Sequence, residues 1–268
     1  MSQTALRPTR RRISGSRLTL YAVFVLMVVV FAVFADFGKI QRNFFQLDVA
    51  RRMLPSVLTI AAKNTIIATL LSFSLGLVLA LALAIMKRST IRPYRWIATG
   101  YIELFRGLPA LVTIILIAFG LPIAFGWKIP GGTLGKGCIG LGIVAAAYMA
   151  ETIRAGIEAV PRGQMEAARS LGMSKGTAMT FIVLPQAFRI IIPPLTNELV
   201  LLIKDTSLFF VIGTTPASKE LTKFGRDFMN ANANATPLTV IALVYLVITL
   251  PLTYMVRRLE RAAGKGTR

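Results

Sequence analysis

The sequence predicts an all-α integral membrane protein of about six transmembrane helices. Three observations carry this. First, 55% of the 268 residues are hydrophobic and the mean hydropathy is +0.67, well above a soluble domain of this size. Second, residues 18–35, 64–86, 107–127 and 235–256 carry no charge, and two weaker stretches, about 137–157 and 186–211, carry only a few ionisable side chains. A bilayer core of about 30 Å takes roughly 20 such residues per helix. Third, the basic residues sit at the ends of these stretches. Arg7, Arg10, Arg11, Arg12 and Arg17 precede the first; Lys87, Arg88, Arg92 and Arg95 follow the second; Arg257, Arg258, Arg261, Lys265 and Arg268 form the tail. If six helices alternate, all three clusters fall on one side, which the positive-inside tendency makes cytoplasmic together with both termini.

In chain order, residues 1–17 read as a basic cytoplasmic leader, disordered or lying on lipid. Residues 18–36 follow as a retained first transmembrane helix, because no small-residue cleavage site succeeds them. The second span is long and is expected to start near Pro55, a first-turn proline, and to reach Met86. Trp96 and Tyr101 open the third at the interface, and Gly107, Pro109, Gly120 and Pro122 interrupt it. Residues 126–137 are rich in Gly and Pro and read as a turn. The loops opposite the basic clusters, about 36–55, 128–136 and 212–234, mix both signs.

The stretch 161–185 stands apart. Val160-Pro161-Arg162-Gly163 is a turn signal, Gln164 to Leu171 favours helix, and Gly172 sits where a left-handed terminating residue belongs. Met165, Ala168 and Leu171 fall at i, i+3 and i+6, a narrow apolar stripe sufficient for docking and insufficient for a core. One reading is an amphipathic connector on lipid headgroups. The small residues Ala167, Ala168 and Gly172 favour close approach to a protein instead.

The charge of +20 would suggest nucleic acid in a soluble protein, but here the cations mark helix ends. Cys138 is the one cysteine and histidine is absent, so neither an intrachain disulfide nor a usual metal cluster is expected. There is no Gly-x-x-x-x-Gly-Lys-Ser/Thr phosphate loop, so no nucleotide or other cofactor is expected on this chain.

The segment Glu166-Ala167-Ala168, then Gly172, then Ile182 to Pro185 resembles the EAA loop of permease subunits of ATP-binding-cassette (ABC) importers. Further motifs are similar to those of the polar amino acid permeases in that group: Tyr101-Ile102-Glu103-Leu104-Phe105-Arg106-Gly107-Leu108-Pro109, Ala147 to Ile157, Leu184 to Arg189, Pro193 to Asn197, and Leu202 to Leu208. The resemblance spans about residues 55–262. It implies a type I importer fold over 55–260, with a cytoplasmic coupling loop at 161–178 that includes Gly163, Glu166, Ala167, Ala168, Leu171 and Gly172. It also implies an inner-membrane location, a second permease subunit (identical or similar), a cytoplasmic ATPase pair that holds ATP and Mg, and an external solute-binding protein. The solute would be a polar amino acid or a related molecule. The chain departs from the pattern at Leu108-Pro109-Ala110-Leu111 and at Ala217-Ser218-Lys219-Glu220-Leu221, which leaves the particular solute open.

Ionisable residues at membrane depth usually face a cavity or a partner. Glu103 with Arg106, and Glu151 with Arg154, have the i, i+3 spacing of local ion pairs. Lys204 and Asp205 are adjacent and face apart. Glu198 shares a face with Asp205, and Asn197 shares one with Lys204. With Thr206 and Ser207, and with Glu103, they are the candidate substrate pathway, or alternatively a structural network between helices. The competing functions are a stand-alone secondary carrier or channel, which would be expected to show inverted repeats, and a membrane enzyme, for which no nucleophile–base pair is present. No repeat is evident, and neither reading accounts for residues 161–178.

Overall fold

The computed structural model describes residues 15–265, so most of the basic leader and the last three residues lie outside the described part. The described part is helical nearly throughout. The helix α1 (Gly15–Phe34) has its apolar side chains exposed from Leu20 to Phe34. The next helices are α2 (Phe37–Phe44), α3 (Leu47–Ser56) and α4 (Lys63–Lys87). Asp36 opens α2 by accepting the Lys39 N–H at 2.9 Å. Residues 36–55, expected as a loop, are therefore largely helical. Pro55 does not open the second span. It lies within α3, and the π turn Val57–Ala62 behind it joins α3 to α4 so that Leu47–Lys87 is helical without a break, inside a candidate span of Phe37–Lys87.

The third apolar stretch differs most from expectation. It is two helical runs, α5 (Arg92–Gly107) and a second run of α6 (Ala110–Ile115), the π turn Leu116–Gly120 and α7 (Leu121–Phe125), bent 109° from each other. The break is at Leu108-Pro109. Proline disfavours the helical conformation of the residue before it, and Leu108 is extended at φ −90°, ψ 141°. The Tyr101–Pro109 motif therefore belongs to α5 and the break.

The remaining helices are α8 (Gly132–Glu158), α9 (Arg162–Ser170), α10 (Lys175–Ala178), α11 (Leu184–Asp205), α12 (Leu221–Asn232) and α13 (Thr236–Lys265). A π turn, Met179–Val183, joins α10 to α11. Among the described residues four helical stretches are long and apolar enough to cross a membrane, five if the bent pair counts as one, and the apolar helix Thr19–Phe34 is shorter.

The centre of the bundle is α8, packed against α4, α5, α6 and α11. Small residues let it approach closely, as in membrane bundles generally. A Cβ on Gly142 would meet Leu75 Cδ2 at 2.9 Å, and one on Gly76 would meet Ala145 Cβ at 3.1 Å. A second apolar cluster of Met53, Val57, Ala61, Leu221, Val240, Ile241 and Val244 ties α3, α12 and α13 together. The run α6–α7 lies antiparallel to α8: Ile114 sits against Gly140, and Phe119 lies 5.8 Å from the Lys136 ammonium.

Candidate functional site

The polar interruption at 161–185 is a built loop. Pro161 leaves α8 in extended geometry, φ −56° and ψ 132°, and its carbonyl accepts the Gln164 N–H at 3.0 Å. The helix α9 closes with a paired C-terminal motif: Met173 N–H reaches the Ala168 carbonyl at 3.1 Å, and Gly172 N–H reaches Arg169 at 3.0 Å. Gly172 holds φ +86°, a left-handed conformation that glycine adopts without cost. The Arg169 guanidinium donates to the Met173 carbonyl at 2.9 Å. Ser174 then caps α10 by accepting the Thr177 N–H at 3.1 Å.

This loop has two faces. Ala168 is buried and Met165 packs on the main core. Gly163, Glu166, Ala167 and Leu171 point outward. The expected stripe of Met165, Ala168 and Leu171 is thus split. Leu171 is the capping residue, φ −82° and ψ 12°, where the helix unwinds, so its side chain leaves the stripe and is 84% exposed. Two contacts steady the loop from behind. Gln186 at the start of α11 donates to Gln164 Oε1 at 3.3 Å and to the Ile182 carbonyl at 2.8 Å. Near the end of α8, Glu151 pairs with Arg154 at 2.8 Å, as its spacing suggested, and also with Lys87 of α4, while Arg154 reaches Glu158 at 2.5 Å. Charge-assisted bonds of this kind are the stronger ones.

The candidate pathway residues are only partly brought together. Lys204 and Ser207 line a crevice of about 370 Å³ with Thr222, Leu238, Ile241, Ala242 and Tyr245. Glu198 and Asp205 are half-buried on another face of α11, outside this crevice, and Asn197 is exposed. Thr206 is buried and donates to the Ile203 carbonyl at 2.6 Å. Glu103 lies apart on α5, exposed, and makes no ion pair with Arg106. The Arg106 guanidinium lies over the Tyr148 ring, 5.8 Å from its centre, an attractive placement in its own right.

One residue escaped the sequence reading. Glu220 is fully buried at the start of α12, accepting the N–H groups of Thr222 at 2.5 Å and Lys223 at 2.7 Å. Burial pushes its carboxyl up to about 7 despite those bonds. Glutamate is an uncommon cap, so the pattern Glu-Leu-Thr-Lys gave little signal. The segment before it is strapped to α4. Asn64 donates to the Ala217 and Lys219 carbonyls at 2.8 and 3.0 Å, and Thr65 accepts the Leu221 N–H at 3.1 Å. Asp227 pairs with Lys219 at 2.6 Å and Lys223 at 2.5 Å; partial burial works to raise its carboxyl, and the two ammonium groups together outweigh it and hold it low.

A bundle packed on one central helix, with a capped polar loop on one side, can be compared with known proteins. The family described as the inner membrane component of binding-protein-dependent transport systems matches residues 72–265. The chain belongs to this family. It is a multi-pass transport component of the inner membrane and not an enzyme. The probable glutamine ABC transporter permease protein GlnM of Bacillus subtilis (strain 168) is 37% identical over 205 residues, 76% of this chain and 91% of the relative. The arginine transport system permease protein ArtQ of the same organism is 37% identical over 187 residues, 70% of this chain and 83% of the relative. Among solved structures, an amino acid ABC transporter with histidines superposes with a TM-score of 0.74 at 36% identity, covering 81% of this chain and 98% of that one. An inward-facing MetNI methionine ABC transporter has a TM-score of 0.65 at 19% identity, covering 79% and 98%, and shares the fold. The matched region runs from α4 to α13 and includes α9, so the loop is part of the family's common body, while α1 to α3 precede it.

Proposed function

We propose that this chain is the transmembrane permease subunit of an ATP-driven importer that moves a polar amino acid or a related solute into the cytoplasm. The observation that carries the reading is the two-faced loop at α9: Met165 and Ala168 lock it to the bundle, and Glu166, Ala167 and Leu171 face out, exposed among the described residues. A short helix held in this way moves as a body and passes displacement to the helices it packs on. The partner it fits is a cytoplasmic ATPase pair that holds ATP and Mg. A second permease subunit and an external solute-binding protein complete the assembly. The loop then faces the cytoplasm, as do both termini, in agreement with the basic residues flanking α4 and α13. The names of the relatives, which are permeases for glutamine and arginine, support the solute class.

Co-purification tests the coupling. The parent chain retains its ATPase partner, whereas Glu166→Lys and Gly172→Pro lose it and lose ATP-driven uptake while the chain stays in the membrane. Asp205→Ala on α11 keeps the assembly and abolishes uptake. Full uptake by the chain without any ATPase would overturn the proposal in favour of a stand-alone carrier.

A further inference from the structure

The helix α5 is sided in a way that the transport reading does not use. Ala98 and Ile102 are buried against α4 and α8. By the helical repeat, Arg92, Arg95, Glu103 and Arg106 share one edge, at separations of three and eleven residues, and Ile97 and Leu104 share the opposite edge, seven apart. Trp96 sits between the two edges, 70% exposed, and Ile97 and Leu104 are exposed as well. A buried face, a cationic edge, an apolar edge and a tryptophan between them are the pattern of a helix lying at a membrane surface.

The geometry agrees. The run α6–α7 lies along α8, and α5 is bent 109° from it, so α5 lies across the bundle. It meets α8 through the Tyr101 hydroxyl on the Ile143 carbonyl at 2.9 Å and through Arg106 over Tyr148. Its N-terminus follows α4 directly at the Lys87–Glu151 pair, on the side of the bundle that carries α9. Three exposed arginines lie close together in sequence there: Arg88, Arg92 and Arg95. None of them enters an ion pair among the described residues. Lys87 is taken by Glu151, and the one acid on the edge, Glu103, lies toward the other end of α5.

We propose that α5 lies in the plane of the leaflet on the α9 side and that Arg88, Arg92 and Arg95 bind the headgroup phosphate of an anionic phospholipid. Positive charge at the level of the phosphates, with Ile97, Leu104 and Trp96 beside it in the acyl region, matches both parts of such a lipid. A basic residue near an anionic leaflet contributes about 1 kcal/mol, or about fivefold in preference. The inference rests on the membrane location of the family and not on the solute carried.

Tryptophan quenching tests it. The chain has two tryptophans, so Trp127→Phe leaves Trp96 as the reporter. The full-length variant is placed in phosphatidylcholine vesicles containing brominated phosphatidylcholine or, at the same mole fraction, brominated phosphatidylglycerol. The expected result is stronger quenching by bromines high on the acyl chain than by bromines near its end. A several-fold preference for the phosphatidylglycerol is also expected. That preference weakens with salt and falls to about one in Arg92→Gln/Arg95→Gln, with the far-UV circular dichroism unchanged. Equal quenching by the two lipids, or a preference that survives the double variant, overturns the proposal. Quenching by neither lipid also overturns it, because α5 would then be covered by protein, such as a second copy of the chain.

Discussion

Glu220 concentrates the chemistry of the segment that opens α12 in one side chain. Its carboxyl is buried, and the folded state holds it up to about 7 against an ordinary value near 4.5. The folded protein therefore binds the proton more tightly than the unfolded chain does, and stability falls as pH rises from about 4.5 through about 7. Thermal unfolding of the purified protein is expected to show that decline over this window. In Glu220→Gln the window flattens, because the amide stays neutral throughout. An unchanged pH profile in the variant would place the titration elsewhere. Gly172 shows the opposite degree of legibility. A glycine after a helix-favouring run signals its left-handed cap directly, and the cap was found where the sequence placed it. Glu220 gave no comparable signal because its burial depends on Thr65 and Asn64, more than 150 residues away along the chain.

At the level of elements, the sequence disclosed where helices lie more readily than how they bend. The apolar runs that became α4, α8, α11 and α13 were legible from composition, because each must satisfy its own backbone within lipid. The 109° break at Leu108-Pro109 was signalled as an interruption, but its angle depends on how α5 and α6 each pack against α8, which local sequence does not carry. The split of the Met165–Leu171 stripe was hidden for a related reason: helical periodicity fails at the residue where the helix ends. Close packing of α8 yields a further expectation. A Cβ on Gly156 would lie 2.2 Å from Ile191 Cγ1 on α11. Gly156→Ala should therefore force that side chain aside at a cost of about 1–3 kcal/mol. A lowered melting temperature, partly restored by Ile191→Val, is the expected reading.

For the whole molecule, the ends of α4 and α8 are held together by Lys87, Glu151 and Arg154, about two to three turns before the α9 loop. Glu151→Gln removes the shared acid and leaves the Lys87 ammonium without its partner beside Arg154, which keeps Glu158. The expected outcome is a destabilisation of about 1–3 kcal/mol. Uptake should also be weakened for each ATP hydrolysed, measured as transport against hydrolysis in the reconstituted complex. Loss of both in equal proportion would show that the network serves only stability.

The three π turns, Val57–Ala62, Leu116–Gly120 and Met179–Val183, bear on how the length of this chain can change. In a regular helix the loss of one residue turns everything beyond it by about 100°, which would bring the lipid-facing side of α4 or α11 into the core. A π turn already holds one residue more than the α repeat requires, so a deletion there tightens the turn and leaves the aim of the helix intact. Single-residue shortening is therefore tolerable at these three places and disruptive in the long straight helices between them.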